Sequence, residues 1–451
     1  MTFHDRKPRP HLVLGAYLSG AATNGDAWRQ PEDDIDADTD FSRYAHYVKI
    51  LEEGKFDSLF LYDNVIPVAD TTTLEYNTGF PRWDTFTLLA GLAVASRHIG
   101  LIGTASTTFN EPYNIARKVL SLHHLSGGRA GWNVVTATGG GENFNLPSHM
   151  NHAERYSRAQ EFYDVVAGLW RTVSPEALVR DKQSGQWADP SRITPLNHKG
   201  RYFSVKGPLN TPPPTRTAGF PVIAQAGSSE DGRDLAARIG EVIFTAEYDL
   251  KEAIAFRQDI LARAAYYERG ADHIRILPGL APIVGRTSEE AQEKLGRYLS
   301  YLDQEETLRA FANYASLGID LASWPRGQAI ILPDTLAQTN SHKSRQSLIA
   351  RWIREQAPTP DDVLRFFNRG GHRLLAGTPT DIADHVQEWF EAGAVDGFNI
   401  MFTSAPTGIE DFVRLVVPEL QKRGVFKKDY LGSGLRKNLG LPNALNIQNN
   451  S

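Results

Sequence analysis

Cysteine is absent from the 451 residues of this chain, which excludes disulfide bonds, thiolate catalysis and cysteine-ligated metal sites. No apolar run approaches the roughly 18 residues that a membrane-spanning helix needs. The first ten residues are charged and proline-containing, without the apolar centre of a signal peptide. We therefore expect a cytoplasmic protein with no membrane partner.

A strong excess of charge is also lacking. The net charge is −5, which argues against nucleic acid or an anionic membrane as the main partner. Apolar residues make up 41% of the chain and charged residues 22%, a composition typical of a globular protein with a large core.

Several familiar motifs are missing as well. There is no Walker-type lysine loop and no spaced-glycine dinucleotide fingerprint, so ATP and a Rossmann-bound dinucleotide are poor candidates as ligands. There is no His-Glu-x-x-His motif, and the acidic run 32–40 lacks the glycine and terminal glutamate of an EF-hand loop. We therefore expect no metal site.

Eight short apolar runs alternate with stretches of helical periodicity. Most runs are apolar throughout, as strands buried on both faces of a parallel sheet are. Eight strand–helix units predict an α/β fold, a TIM (β/α)8 barrel with insertions after the strands, although an open doubly wound sheet has the same alternation. The predicted strands are His11–Leu18, Phe56–Tyr62, Ile99–Ala105, Arg129–Thr136, Pro221–Gln225, Glu241–Thr245, Ile274–Val284 and Asp396–Phe402.

Long connections interrupt the alternation at two places. We interpret residues 1–451 as one barrel domain with insertions at about 171–220 and 286–375 and a polar tail at 427–451 that wraps over the surface or a neighbouring subunit. Residues 286–345 follow the seventh strand and would form either a mobile lid or a subunit-contact arm.

Polar residues at the strand ends are the candidates for a binding site, because barrel active sites lie on that rim. Asn133 is notable, since asparagine is rare in strands and a buried amide needs partners; it suits either the pyrimidine edge of a flavin or a structural role. Asp63 fits a helix cap or a ligand contact equally well. Ser106 ends the third strand, where small hydroxyl residues are common.

Two further segments suit an anionic group. His152 and Tyr156 are four residues apart and share one helix face, although a surface histidine and a half-buried tyrosine have the same spacing. Ser228 and Ser229 open a helix, where backbone amides favour a phosphate, and the same serines are ordinary N-caps.

The chain resembles the flavin-dependent monooxygenases of the bacterial-luciferase-like superfamily, in particular the group of nitrilotriacetate, dibenzothiophene-sulfone and long-chain-alkane monooxygenases. The block around Trp132 and Asn133 is the most specific part of the resemblance, which extends over nearly the whole chain. The matching segments are Ala27–Pro31, Phe60–Asp63, Ser106–Asn114, Ser126–Thr136, Glu154–Phe162, Gln225–Ser229, Gly318–Leu321 and Asp396–Met401.

The resemblance implies an oxygenase that takes reduced FMN (FMNH2) from a separate NAD(P)H:flavin reductase, adds O2 to form a peroxyflavin, and oxygenates a small organic substrate, including sulfur- or nitrogen-containing ones. It also implies a homo-oligomer, a dimer or a tetramer. The residues that it assigns to FMN are Asp63, Thr104, Ser106, Asn133, His152, Tyr156, Ser228 and Ser229.

Relatives often carry a serine at the position of Ala137, and Thr136 or Thr138 could replace its hydroxyl group here. No catalytic acid or base is assigned. Tyr17 and Trp324 are the expected substrate contacts, and both are equally ordinary as core residues. Three alternatives remain on sequence alone: a deazaflavin- or FMN-dependent oxidoreductase that is not an oxygenase, a non-catalytic flavin-binding barrel, and a flavin-free barrel lyase.

Overall fold

Eight parallel strands close into a barrel in this computed structural model, which describes residues 11–18, 28–65, 82–137, 139–145, 150–227, 229–336, 343–368 and 370–443. The strands are β1 Val13–Leu18, β2 Ser58–Leu61, β3 Gly100–Ser106, β4 Ala130–Val135, β5 His198–Lys199, β6 Ser204–Val205, β7 Val222–Gln225, β8 Val242–Thr245, β9 Arg275–Val284, β10 Arg373–Gly377 and β11 Gly397–Met401.

The barrel closes at β9, which pairs with β8 on one side and with β11 on the other. Around the ring the order is β9, β11, β1, β2, β3, β4, β7 and β8. The predicted TIM barrel is therefore confirmed, and the open sheet is excluded. Each predicted strand matches an observed one within a few residues at either end.

One parallel strand was not predicted. β10 pairs only with the last five residues of β9, which extends beyond its contact with β11. In sequence, the segment ArgLeuLeuAlaGly is too short to be separated from the surrounding insertion. β5 and β6 form a separate antiparallel hairpin in the first insertion.

Helices cover the outside of the barrel, and most begin at a side-chain cap. Asp40, Asp84, Asn151 and Thr378 each accept a hydrogen bond from a first-turn amide, which satisfies donors that have no partner within the helix. The helices are α1 Phe41–Glu53, α2 Thr85–Ala95, α3 Pro112–Leu125, α4 His152–Trp170, α5 Glu230–Ile239, α6 Leu250–Tyr266, α7 Ser288–Tyr301, α8 Gln304–Tyr314, α9 Lys343–Gln356, α10 Pro360–Phe366, α11 Pro379–Glu391, α12 Thr407–Asp411, α13 Val417–Lys422 and α14 Leu435–Asn438.

The second insertion has its own apolar core. Helices α7 to α10 bury Phe311, Ile349 and Trp352 among other apolar side chains, and this cluster continues into the strands β9 and β10. The insertion is therefore packed against the barrel rim. None of the helices in the described ranges is both long enough and apolar enough to cross a membrane.

The tail differs from the expected surface segment. Leu435, Leu439 and Leu441 are buried in the barrel interior, together with the inward side chains of Val13 and Ile102 among others. Gly100 makes room for this plug, since a Cβ there would lie 2.3 Å from a methyl group of Leu435. Residues 435–441 therefore close the end of the barrel opposite the rim.

We predict that Leu435→Ala lowers the free energy of unfolding by about 2–5 kcal/mol, because it removes a buried side chain and leaves a cavity. Leu431→Ala is the matched control on the same tail, since Leu431 is 37% exposed. Urea unfolding of both variants measures the effect. Equal midpoints for the two variants would contradict the role of Leu435 as a plug.

Candidate active site

A cavity of about 650 Å³ opens at the carboxyl ends of the barrel strands, where barrel enzymes hold their ligands. Its size is that of a site for a small molecule or cofactor. Most of the residues predicted from sequence line this cavity: Tyr17, Asp63, Thr104, Ser106, Asn133, His152, Tyr156 and Ser229.

Two of the predicted residues are not among them. Ser228 lies outside the described residues. Trp324 does not line this cavity, and its partly buried ring packs against the core of the second insertion. The expected substrate contact at Trp324 is therefore not met, because an aromatic residue in an insertion that has its own core can be buried there.

Asn133 has its orientation fixed by a chain of hydrogen bonds. The Thr104 hydroxyl donates to the carbonyl oxygen of Leu61 at 2.9 Å, so its oxygen is left to accept. The Asn133 side chain donates to that oxygen from Nδ2 at 3.0 Å. The amide oxygen of Asn133 must therefore face away from Thr104.

The amide oxygen of Asn133 has no hydrogen-bond partner in the described structure, although the side chain is buried and lines the cavity. A buried acceptor without a partner costs free energy comparable to a lost hydrogen bond. A ligand with an N–H group at this point would remove that cost. The flavin pyrimidine ring carries such a group.

Asp63 is half-buried in the wall of the same cavity. It is not the cap of α2, which Asp84 provides. Burial raises the pKa of the Asp63 carboxyl, while hydrogen bonds from Thr85 and Asn64 oppose the rise.

Ser106 is held at the end of β3 by its own loop. Its hydroxyl oxygen accepts from the amide of Thr108 at 3.0 Å, and its carbonyl accepts from the side chain of Asn110 at 2.8 Å. These contacts fix the backbone close to the cavity. Ala137 also lines the cavity and brings no hydroxyl group.

His152 and Ser229 bring α4 and α5 together at the cavity. The carboxylate of Asp231 accepts from Nδ1 of His152 at 2.9 Å, which fixes the orientation of the ring. The His152 ring lies 4.8 Å from the Tyr156 ring. Ser229 caps α5 by accepting from the amide of Gly232 at 3.2 Å.

The two acids in the first turn of α5 are already engaged. Asp231 pairs with His152, and Glu230 pairs with Arg263 at 2.6 Å. Because both acids are paired with basic side chains, they neutralise less of the partial positive charge at the start of α5 than the sequence alone indicates. Gly227 packs tightly before it, since a Cβ there would lie 2.8 Å from the Cα of Gly232.

Arg155 is the main residue that sequence reasoning missed. It lines the cavity beside Tyr156, is 5% exposed, and donates to the carbonyl oxygen of Met150 at 2.9 Å. No carboxylate in the described residues pairs with it, and burial lowers its pKa. Its position within the segment Glu154–Phe162 was the available signal.

An aromatic floor covers another part of the cavity. Tyr17, Phe60 and Phe244 have ring centroids 5.7 to 6.1 Å apart, and the His372 ring stacks on Phe244 at 5.1 Å. Gly279 makes room for His372, because a Cβ there would lie 2.3 Å from Nδ1. Burial holds the pKa of His372 well below its usual value, so its ring is neutral.

We predict that Thr104→Val lowers the free energy of unfolding by about 1–3 kcal/mol, because it removes the hydrogen bonds that the Thr104 hydroxyl makes with the Leu61 carbonyl and the Asn133 side chain. Thr104→Ser keeps the hydroxyl and should lose less. The urea-unfolding midpoints of the ligand-free variants test this. An equal loss in both would show that the hydroxyl does not hold Asn133.

Comparison with known proteins shows the family to which the chain belongs. The Luciferase-like monooxygenase family matches residues 23–396. The chain is 41% identical to N-acetyl-S-(2-succino)cysteine monooxygenase from Bacillus subtilis (strain 168), over 97% of this chain and 98% of that protein. It is 39% identical to nitrilotriacetate monooxygenase component A from Aminobacter aminovorans, over 95% and 96% of the two chains.

A solved structure of riboflavin lyase with modified FMN and riboflavin has a TM-score of 0.82 and 30% identity, covering 95% of this chain and 96% of that one. The family match extends over most of the chain, and the relatives align over nearly their full length. The chain therefore belongs to the luciferase-like monooxygenase family and is a flavin-dependent monooxygenase.

Proposed function

We propose that the cavity binds reduced FMN, and that the chain is the oxygenase component of a two-component system. A separate NAD(P)H:flavin reductase supplies the reduced flavin, and O2 is the co-substrate. A small organic molecule, of a class that includes sulfur- and nitrogen-containing compounds, is oxygenated. The observation that carries the proposal is one cavity with a buried amide acceptor in its wall and, beside a helix start, an arginine that forms no ion pair with a described carboxylate.

The ring of the flavin would lie against β3 and β4. Asn133 offers a fixed acceptor there, and Thr104 holds it in place. Ser106 and Asp63 line the same cavity. A ring N–H donor would satisfy the buried oxygen of Asn133, so these residues fit the pyrimidine edge of a flavin.

The phosphate of FMN would lie where α4 and α5 begin. Arg155 provides a buried positive charge, and a charge-assisted hydrogen bond to phosphate is among the strongest that proteins make. Ser229, His152 and Tyr156 surround the same part of the cavity. Ser228 precedes Ser229 in sequence, and its contact with the phosphate stays a prediction.

Bound reduced FMN would supply the two electrons that split dioxygen, with one oxygen atom going to the substrate and the other to water. The protein's part is to orient the ring, hold the substrate against it and limit access of water. The aromatic floor of Tyr17, Phe60 and Phe244 serves the last two purposes, because it is apolar and lines the cavity.

The reductase partner is supported by the relatives and by the sequence. Nitrilotriacetate monooxygenase component A is named as one part of a system. This chain lacks the glycine fingerprint for a dinucleotide. Four further points stay predictions. They are the cytoplasmic location, the homo-oligomer, the single-domain organisation and the choice between lid and assembly arm for residues 286–345.

The phosphate assignment is tested by comparing FMN with riboflavin, which lacks the phosphate. We predict that Arg155→Gln weakens FMN binding about 10- to 100-fold, as loss of one or two hydrogen bonds to a charged group would, and leaves riboflavin binding unchanged. Fluorescence titration measures both. Arg171→Gln is the control, because Arg171 follows the end of α4, away from the cavity, and donates to the carbonyl of Ala167.

Equal weakening of FMN and riboflavin by Arg155→Gln would show that Arg155 is structural. Failure of the unchanged protein to bind either flavin would overturn the proposed function itself. An effect of Arg171→Gln as large as that of Arg155→Gln would show that any arginine of α4 is needed for folding.

We also predict that the purified chain does not oxidise NADH unless a flavin reductase and FMN are added. The rate of NADH oxidation is measured from the loss of NADH absorbance, with each component omitted in turn. The reductase alone with FMN is the control for background oxidation. NADH oxidation by the isolated chain at the rate of substrate turnover would contradict the two-component assignment.

A further inference from the structure

The second insertion contributes a positive charge to the cavity. Arg345 lies on α9 and lines the cavity, as do Tyr314 at the end of α8 and His372 just before β10. These residues belong to the part of the wall that carries the aromatic floor. Arg155, in contrast, lies where α4 begins.

Arg345 is held in place by its neighbours. Its Nη1 donates to the carbonyl oxygen of Gly371 at 3.1 Å, and its guanidinium carbon lies 5.5 Å from the centre of the Tyr314 ring. Gly371 has a φ of 68°, and a Cβ there would lie 3.4 Å from the side chain of Arg345. Among the residues that the structure describes, the guanidinium is therefore held in position by one hydrogen bond and the contact with the Tyr314 ring.

The helix that carries Arg345 is anchored along its length. Gln346 donates to the carbonyl of Ser316 at 2.6 Å, and Arg351 pairs with Glu252 at 2.7 Å. Ile349 and Ile353 are buried in the core of the insertion. Because α9 is fixed in this way, the position of Arg345 is set by the fold.

No carboxylate in the described residues forms an ion pair with Arg345 within 4.0 Å. Glu247 is near enough for the charge of Arg345 to act on the pKa of its carboxyl group. The Glu247 side chain is buried, however, and accepts a hydrogen bond from the Thr245 hydroxyl at 3.2 Å. Burial raises the pKa of Glu247, so its charge is disfavoured. His372 is neutral for the same reason. Within the described part of the chain, no ion pair offsets the positive charge that Arg345 brings to the cavity wall.

We propose that the substrate is an organic acid whose carboxylate is held by Arg345, while its oxidisable part lies over the aromatic floor. A guanidinium binds a carboxylate through two parallel hydrogen bonds, which fixes orientation as well as position. The floor provides apolar contact for the rest of the molecule. This inference rests on the proposed function and deepens it by naming the substrate class.

For a thioether acid the reaction balances simply. A lone pair on sulfur forms the new bond to one oxygen atom of O2 as the O–O bond breaks, and sulfur is oxidised by two electrons. The reduced flavin of the proposed function supplies two electrons and two protons, and the second oxygen atom leaves as water. The carboxylate takes no part in the bond changes and serves to place the sulfur.

Thiodiglycolate and its dimethyl ester are suitable probes, because they share the thioether and differ in charge. Isothermal titration of the full chain, with and without FMN, measures binding directly. Turnover with a flavin reductase, NADH and FMN measures KM and kcat for sulfoxide formation. We expect the diacid to bind at least 10-fold more tightly than the ester. N-methyliminodiacetate and its ester repeat the comparison for nitrogen.

Arg345→Gln should weaken binding of the diacid at least 10-fold and raise its KM, leaving the ester and FMN affinities unchanged. Arg345→Lys should restore part of the loss, since the charge returns without the two-pronged geometry. Arg354→Gln is the matched control, because Arg354 lies on the same helix, donates to the carbonyl oxygen of Pro333 and does not line the cavity.

Two outcomes overturn the inference. One is that neither diacid binds more tightly than its ester while FMN binds normally. The other is that Arg345→Gln weakens diacid and ester equally, which would make Arg345 structural. Failure of FMN binding in the unchanged chain would instead remove the proposed function, so the two failures are distinguishable.

Discussion

The pairing of β8 with β9 is the contact on which the site depends. Strand β9 pairs with β8 on one side and with β11 on the other. The pairing with β8 therefore closes the parallel sheet into a ring. In a ring of parallel strands, all carboxyl ends lie on one rim. Residues as distant in sequence as Tyr17, Asn133 and His372 therefore line one cavity. An open sheet would spread them along an edge.

The plug at the other end has the complementary role. Leu435 and its neighbours fill the barrel interior below the rim, so the cavity is confined to the side where the polar residues are. The rim can then carry groups that are unfavourable in a folded protein without a ligand, such as the unpartnered oxygen of Asn133. The apolar clusters of the barrel and the insertion offset these local costs.

Much of the fold was predictable, because parallel barrel strands are apolar throughout and helix starts carry caps. The eight strands follow from the first signal, and the helix Pro379–Glu391, which Thr378 caps, follows from the second. The strand β10, the buried tail residue Leu435 and the packing of Trp324 did not, because each depends on what the segment contacts in three dimensions.

The residues of the site likewise include some that the sequence reveals and some that only the structure reveals. Asn133 was recognisable because an amide is out of place in an apolar strand, and the Ser-Ser helix start has a local signature. Arg155 and Arg345 look like ordinary helix arginines in sequence. The roles that we propose for them rest on the lack of a carboxylate partner among the described residues, which only the folded structure shows.

We propose that the protein transfers one atom of dioxygen to an organic molecule, using reduced flavin bound in this cavity. The most direct measurement is a reaction under ¹⁸O2 with chemically reduced FMN and thiodiglycolate, followed by mass spectrometry of the product. We predict one ¹⁸O atom per product molecule, and a lower yield of that product from Arg155→Gln at an FMN concentration that saturates only the unchanged protein. Product oxygen drawn from water, or flavin oxidation that yields only hydrogen peroxide with every compound tried, would contradict it.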